Sequence, residues 1–80
     1  MTVEILTIEK VLLSTDAKSV VVPGKGGRFE MLDNHAPIIS ILEPGFIKVT
    51  DQDDQEQSIE INGGSIEMSN NKIIILAETE

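Results

Sequence analysis

The chain has 80 residues, with 14 acidic side chains against 6 basic ones for a formal net charge of −8, and no cysteine. That balance excludes a binder of nucleic acid or of an anionic lipid surface, whose phosphates must be met by clustered Lys and Arg, and it favours a basic partner. The missing thiols exclude a disulfide framework and a thiolate zinc site, so packing alone must hold the fold.

Phe29 and Phe46 are the only aromatic residues, which leaves a core of Ile, Val and Leu, side chains that suit strands. Val3, Ile5 and Thr7 alternate with Thr2, Glu4 and Leu6, predicting a first strand over about Thr2 to Thr7. Leu6 and Ile8 blur its pattern by placing apolar groups on both faces. Val11 to Leu13 begins a second strand, Ser14-Thr15-Asp16 reads as a polar break, and the uniform run Val20 to Val22 predicts a third strand buried on both sides.

From Pro23 to Gly45 no helix can run, because Gly24, Gly26 and Gly27 favour turns while Pro37 and Pro44 hold Ala36 and Glu43 extended. A short strand, Phe29 to Leu32, a polar corner at Asp33-Asn34-His35, and a strand from Ile38 to Leu42 are predicted there. Phe46 to Thr50 and Ser58 to Asn62 alternate on either side of a polar tip, Asp51 to Gln57, and read as a hairpin. Gly63-Gly64 is predicted to turn the chain, and Ile66 and Met68 alternate with polar neighbours. Asn70-Asn71 supplies a tight turn before a last strand from Ile73 to Leu76.

These elements predict an all-β protein, a flattened β-sandwich of about eight to ten short, mostly antiparallel strands in one domain spanning residues 1–80. A domain of this size buries only a little over ~60% of its unfolded surface, so help from a partner is expected. Apolar runs such as Ile73 to Ala77 fall far short of the roughly 20 residues that cross a bilayer, and the acidic N-terminal stretch lacks the basic flank of a signal peptide. A soluble, cytoplasmic protein is expected, reaching a membrane only through another protein.

Reactive chemistry finds little support. His35, the single histidine, shares its corner with Asp33 but has no nucleophile at a recognisable spacing, and no serine sits in a Gly-x-Ser-x-Gly elbow. Gly24-Lys25-Gly26-Gly27 lacks the spacing and the following helix of a phosphate-binding loop. Asp51, Asp53, Asp54 and Glu56 begin like a calcium loop, yet counting from Asp51 the sixth and twelfth positions are Glu56 and Asn62 where Gly and Glu are needed. No metal or cofactor is expected. Asp16-Ala17-Lys18 raises a lipoyl or biotinyl carrier as an alternative, since those are acidic sandwiches with a modified lysine at mid-chain; here the lysine falls early. A small ligand-binding sandwich is the other alternative, lacking the Trp and Tyr of a sugar-stacking surface.

Five segments in register, Ala17 to Gly24 (AKSVVVPG), Asn34 to Ile38 (NHAPI), Leu42 to Gly45 (LEPG), Gly63 to Met68 (GGSIEM) and Asn71 to Ala77 (NKIIILA), carry a further reading. Together they resemble the N-terminal β-sandwich domain of the epsilon subunit of bacterial F-type ATP synthases. The resemblance implies a non-catalytic rotor subunit of the central stalk, joining the gamma shaft to the ring of c subunits at the cytoplasmic face of the bacterial inner membrane, with a proton or sodium ion as the coupling ion.

It implies a gamma-facing set of Thr7, His35, Ala36, Pro37, Ile38, Ser40 and Ile41, and a ring-facing loop of Lys25, Gly26, Gly27, Arg28, Phe29 and Glu30. That loop departs from the common pattern, with Arg28 where an acid is frequent, Glu30 where Gly is usual and Asp33-Asn34 in place of Pro-Gly, which implies a docking surface alike in shape and altered in charge. Beyond Ala77 nothing matches the two-helix arm of longer members, so the braking and nucleotide sensing of that arm are not expected of these residues. A permanent partner also predicts one unusually apolar outer surface, and Ala36 to Leu42, with aliphatics on both faces of its strand, is the first candidate for it.

Overall fold

A computed structural model describes residues 1–79. Eight strands follow one another: β1 (Thr2–Leu6), β2 (Val11–Gly24), β3 (Gly27–Leu32), β4 (Ile38–Leu42), β5 (Gly45–Asp51), β6 (Glu56–Ile61), β7 (Gly63–Ser69) and β8 (Lys72–Glu78). Hydrogen bonding runs in the order β1-β8-β7-β4-β2-β5-β6, with β3 on the far edge of β2 and an additional β1–β2 pairing. Every pairing is antiparallel except β1 with β8. The long strand β2 belongs to both layers: its first half pairs with β1, its second half with β5 and β3, and its last residue, Gly24, with Leu42 of β4. The sheet thus folds over on β2 into a sandwich of β1-β8-β7-β4 against β3-β2-β5-β6, measuring 29 × 23 × 19 Å.

Between the layers lie the alternating inward residues of each strand: Val3 and Ile5, Val20 and Val22, Ile47 and Val49, Ile66 and Met68, Ile73 and Ile75, all essentially without solvent contact. Met31, Leu42 and Ile61 close the same cluster. Among the described residues no buried side-chain nitrogen or oxygen lacks a hydrogen bond, so no unmet polar group offsets the burial of these aliphatics.

Several expectations are corrected. Val11 to Leu13 and Val20 to Val22 are one strand, because Ser14, Thr15 and Asp16 stay extended while their backbones pair with Glu4, Val3 and Thr2. Side-chain polarity at a sheet edge does not prevent ladder bonding. β2 does carry an irregularity further on, between Ala17 and Ser19, where its register against β5 shifts. Val20 and Val22 are buried but Val21 is only half-buried; it has strands on both sides in the plane of the sheet, at Glu30 and Lys48, without a layer over its outer face.

Gly63 and Gly64 start β7 instead of turning the chain, with φ of 138° and 150°. A Cβ on Gly64 would collide with the Leu76 carbonyl oxygen, so glycine here permits close approach of β7 to β8. The first strand ends at Leu6, one residue short of Thr7, and the last runs past Leu76 to Glu78. The Asn70-Asn71 turn forms as expected, both residues having left-handed φ of 51° and 58°.

Candidate functional site

The strand registers divide the sandwich into two ends. At one end are the Met1 ammonium, Asp16, the Asp33-Asn34-His35 corner, the Asn70-Asn71 turn and the β5–β6 tip; at the other are the Thr7–Lys10 turn, the β2–β3 tip, and Glu43 to Gly45. At the first end the Met1 ammonium donates to Asp33 Oδ1 at 2.5 Å, to the Ala17 carbonyl at 3.0 Å and to Asp16 Oδ1 at 3.1 Å. The hydrogen bond from the ammonium holds the Asp33 carboxyl below the usual aspartate range, and the same bond, outweighing partial burial, holds the amine above its usual value.

Asn34, at φ 64°, donates its N–H to Asn71 Oδ1 at 2.7 Å, and His35 N–H closes the corner on the Leu32 carbonyl at 3.1 Å. The His35 ring is exposed, with Nδ1 2.9 Å from the Ala36 carbonyl. Asp51 Oδ1 accepts N–H groups of Asp53 and Gln55, each at 2.9 Å, so this carboxylate shapes the hairpin tip. Among the described residues no group of three or more His or acidic side chains converges as a metal site. Lys18 lies inside β2, not on a hairpin tip, and its ammonium pairs with Asp54.

The outer face of β1-β8-β7-β4 is the strongest surface feature. Cross-strand partners share a face, and the register sets Ile39, Glu67, Ile74 and Glu4 in one row and Ile41, Ser65, Leu76 and Leu6 in the next. Ile39 is 78% exposed, Ile41 60%, Leu76 47% and Ile74 37%. The aliphatics form two stripes, Ile39 and Ile41 on β4 and Ile74 and Leu76 on β8, on either side of Glu67 and Ser65 of β7; aliphatics grouped in this way on a solvent-facing sheet suit an interaction surface better than isolated ones. Shallow hollows flank the two ends of the face: about 500 Å³ against Pro37, Ile38, Ile39 and Glu67, and about 400 Å³ against Ile41, Gly63, Gly64 and Leu76.

Of the residues first associated with a shaft, Ile41 and, beside it, Ile39 lie on this face; Ile38 and Ser40 alternate to its other side and are half-buried. Ala36 and Pro37 are exposed at the entry to β4. Thr7 and His35 sit at opposite ends of the sheet, and the Thr7 hydroxyl is committed to its own turn, accepting from Lys10 N–H at 3.1 Å and Glu9 N–H at 3.3 Å. Ile74 and Leu76 were missed. Four successive branched or aliphatic residues, Ile73 to Leu76, carried the signal, since a strand covered on one face should alternate.

At the β2–β3 tip, Lys25, Gly26, Gly27 and Arg28 are exposed. Arg28 Nη1 donates to the Phe46 carbonyl at 2.9 Å, and Glu30 accepts from the Ser19 hydroxyl at 2.6 Å. Phe29 packs on Gly24, where a Cβ would fall 2.5 Å from its ring, and so it serves the core margin more than the tip. Lys25 N–H donates to the Ile41 carbonyl at 3.0 Å and Glu43 N–H to the Pro23 carbonyl at 2.7 Å, which laces the tip to the end of β4. Among the described residues, Lys18, Lys48 and Lys72 each pair with a carboxylate, while Lys10, Lys25 and Arg28 pair with none, and all three lie at this end.

The described residues form an all-β sandwich whose prominent surface features are an outer face carrying exposed aliphatics and a tip carrying Lys25 and Arg28. Residues 1–80 match the family described as ATP synthase, Delta/Epsilon chain, beta-sandwich domain, and the chain belongs to that family. It is 38% identical over 77 residues to an ATP synthase epsilon chain of Chlorobaculum tepidum, covering 96% of this chain and 88% of that one. It is 40% identical over 75 residues to an ATP synthase epsilon chain of Nitratiruptor sp., covering 94% of this chain and 58% of the relative.

In solved structures the fold recurs in the mitochondrial ATP synthase of Euglena gracilis, at a TM-score of 0.86 and 16% identity, over 96% of this chain and 49% of that one. It recurs also in the central stalk and c-ring assembly of the Tetrahymena thermophila enzyme, at 0.81 and 16%, over 99% and 63%. This chain therefore spans about half to two thirds of those structural neighbours, and their likeness shows the fold.

Proposed function

We propose that the chain is a non-catalytic central-stalk subunit of an F-type ATP synthase, binding the gamma shaft and the c-ring together at the cytoplasmic face of a bacterial inner membrane. The observation that carries this reading is the family match over residues 1–80, joined by relatives named ATP synthase epsilon chain that align along at least 94% of the chain. Residues 1–80 act as one mechanical unit.

The geometry supports two docking sites with distinct chemistry. The face carrying Ile39, Ile41, Ile74 and Leu76 suits a permanent apolar contact with the shaft, flanked by the exposed Ala36, Pro37 and His35. The tip of Lys25, Gly26, Gly27 and Arg28, with Phe29 and Glu30 at its base, is assigned to the ring. The hydrogen bonds from Lys25 to Ile41 and from Glu43 to Pro23 join the two sites through backbone, so load applied at one reaches the other without a hinge. Close packing of aliphatics between the layers supplies the stiffness that torque transfer requires.

Co-expression with the gamma subunit tests the shaft site. Ile41→Asp places a charge on the outer face without touching the core, so the variant folds and no longer co-purifies with gamma, while wild type does. Undiminished co-purification of a folded Ile41→Asp chain removes the shaft assignment. Affinity purification of the wild-type chain from its own organism tests the whole: ATP synthase subunits are expected, and a lipoyl-sized mass increment without them would select a carrier domain.

A further inference from the structure

Of the two carboxylates in the central rows of the apolar face, only one is neutralised by the domain itself. Glu4 pairs with Lys72 at 3.1 Å on the neighbouring strand. Glu67 stands between Ile39 on β4 and Ile74 on β8, with Ile41 and Leu76 in the adjacent row; it is exposed, and no cation among the described residues reaches it. Once a partner covers the flanking isoleucines, Glu67 loses its water. A carboxylate sealed between aliphatic side chains without a counter-charge carries a large desolvation penalty, so a covered face demands a cation at this point.

We infer that the partner seated on the β1-β8-β7-β4 face presents an apolar surface with a single Lys or Arg directed at Glu67, and that this ion pair fixes the position of the partner along the strands. The inference rests on the shaft assignment above and adds its electrostatic register. Apolar contact alone is indifferent to sliding by one residue pair, because Ile39 and Ile41 on one strand and Ile74 and Leu76 on another repeat at the same spacing. A lone charge among them is not. For a subunit that must not slip on its shaft, that distinction has mechanical value.

Other occupants fit less well. A second copy of the chain, docked face to face about a two-fold axis, would bring the same apolar patch and its carboxylate against their own copies, setting like charges together in a drying interface. An anionic bilayer repels both Glu67 and a chain of net charge −8.

The test is binding of the full chain to the gamma subunit of the same organism across a salt titration, comparing wild type, Glu67→Gln, Glu67→Lys and Ile41→Asp, with Glu60→Gln on the opposite layer as control. Loss of one member of a covered ion pair is expected to weaken binding by at least about tenfold and to flatten its salt dependence. Glu67→Lys should bind more weakly still, and one Lys→Glu or Arg→Glu change in gamma should restore it; Glu60→Gln should match wild type. Unchanged or tighter binding by Glu67→Gln, alongside loss of binding by Ile41→Asp, overturns the ion pair and leaves the shaft site standing. Full binding by both variants removes the shaft site and this inference with it. Self-association of the free chain that Glu67→Gln strengthens overturns it in favour of a second copy.

Discussion

At residue scale the most informative contact joins the Met1 ammonium to Asp33, because it ties the start of β1 to a corner 32 residues away and titrates at both partners. Asp33 is held below the ordinary aspartate range, so its contribution is present above the unfolded value of about 4 and disappears as pH falls through the lowered folded value. The amine is held above its ordinary value, so its contribution is complete below about 8 and disappears as pH rises through the raised folded value. Stability should therefore plateau between those limits and fall on both sides. Thermal melts of Asp33→Asn across pH should lie below wild type on the plateau and converge with it in acid, where wild-type Asp33 is itself neutral. Parallel curves that never converge would show that the substitution disturbs the corner by some route other than charge.

At the scale of elements, β8 shows what sequence reveals and what it withholds. Its residues Ile73, Ile74, Ile75 and Leu76 are apolar throughout, which identifies a strand without saying which face is inside. The structure buries Ile73 and Ile75 and turns Ile74 and Leu76 outward. The two faces predict opposite phenotypes for the same substitution. Ile75→Ala empties core volume and should cost roughly 2 to 5 kcal/mol, measured as a shift in the denaturant midpoint. Ile74→Ala should leave that midpoint within about 0.5 kcal/mol of wild type and weaken gamma binding instead.

The same contrast separates the legible from the illegible elsewhere. Strand β4 follows from the prolines that bracket it, and the β5–β6 hairpin and the Asn70-Asn71 turn from alternation and turn chemistry, all of which act over a few neighbours. The continuity of β2 through Ser14-Thr15-Asp16, and the place of Glu67 between two isoleucines, depend on pairing with residues far along the chain, which local pattern does not encode. For the exposed outer face, the sequence pointed to β4, with Ile39 and Ile41, but not to Ile74, Leu76 or Glu67, since only the register of β4, β7 and β8 brings them together.

Over the whole molecule, charge is distributed unevenly in a way that total charge conceals. Asp16, Asp33, Asp51, Asp53 and Asp54 gather at one end, whereas at the other Lys10, Lys25 and Arg28, the cations without a carboxylate partner among the described residues, share the end with Glu9, Glu43 and Glu78 and leave it close to neutral. Charged groups at a rim contribute more to orientation and rate of encounter than to final affinity. A molecule acidic at one end and close to neutral at the other would present the β2–β3 loop, where Lys25 and Arg28 sit, toward acidic or carbonyl-rich loops.

The Lys25→Ala/Arg28→Ala double variant isolates this effect, because both side chains are exposed and neither supports the core. Its stability should stay within about 0.5 kcal/mol per substitution of wild type, and its binding to gamma, proposed above to use the outer face of β1-β8-β7-β4, should be unchanged. If the tip grips the ring as proposed, then in reconstituted vesicles ATP hydrolysis by the variant complex should continue while ion pumping per ATP falls, the shaft turning without carrying the ring. Pumping per ATP equal to wild type, with the variant confirmed in the complex, would mean that the ring is held elsewhere on this surface and that the cationic tip is dispensable for coupling.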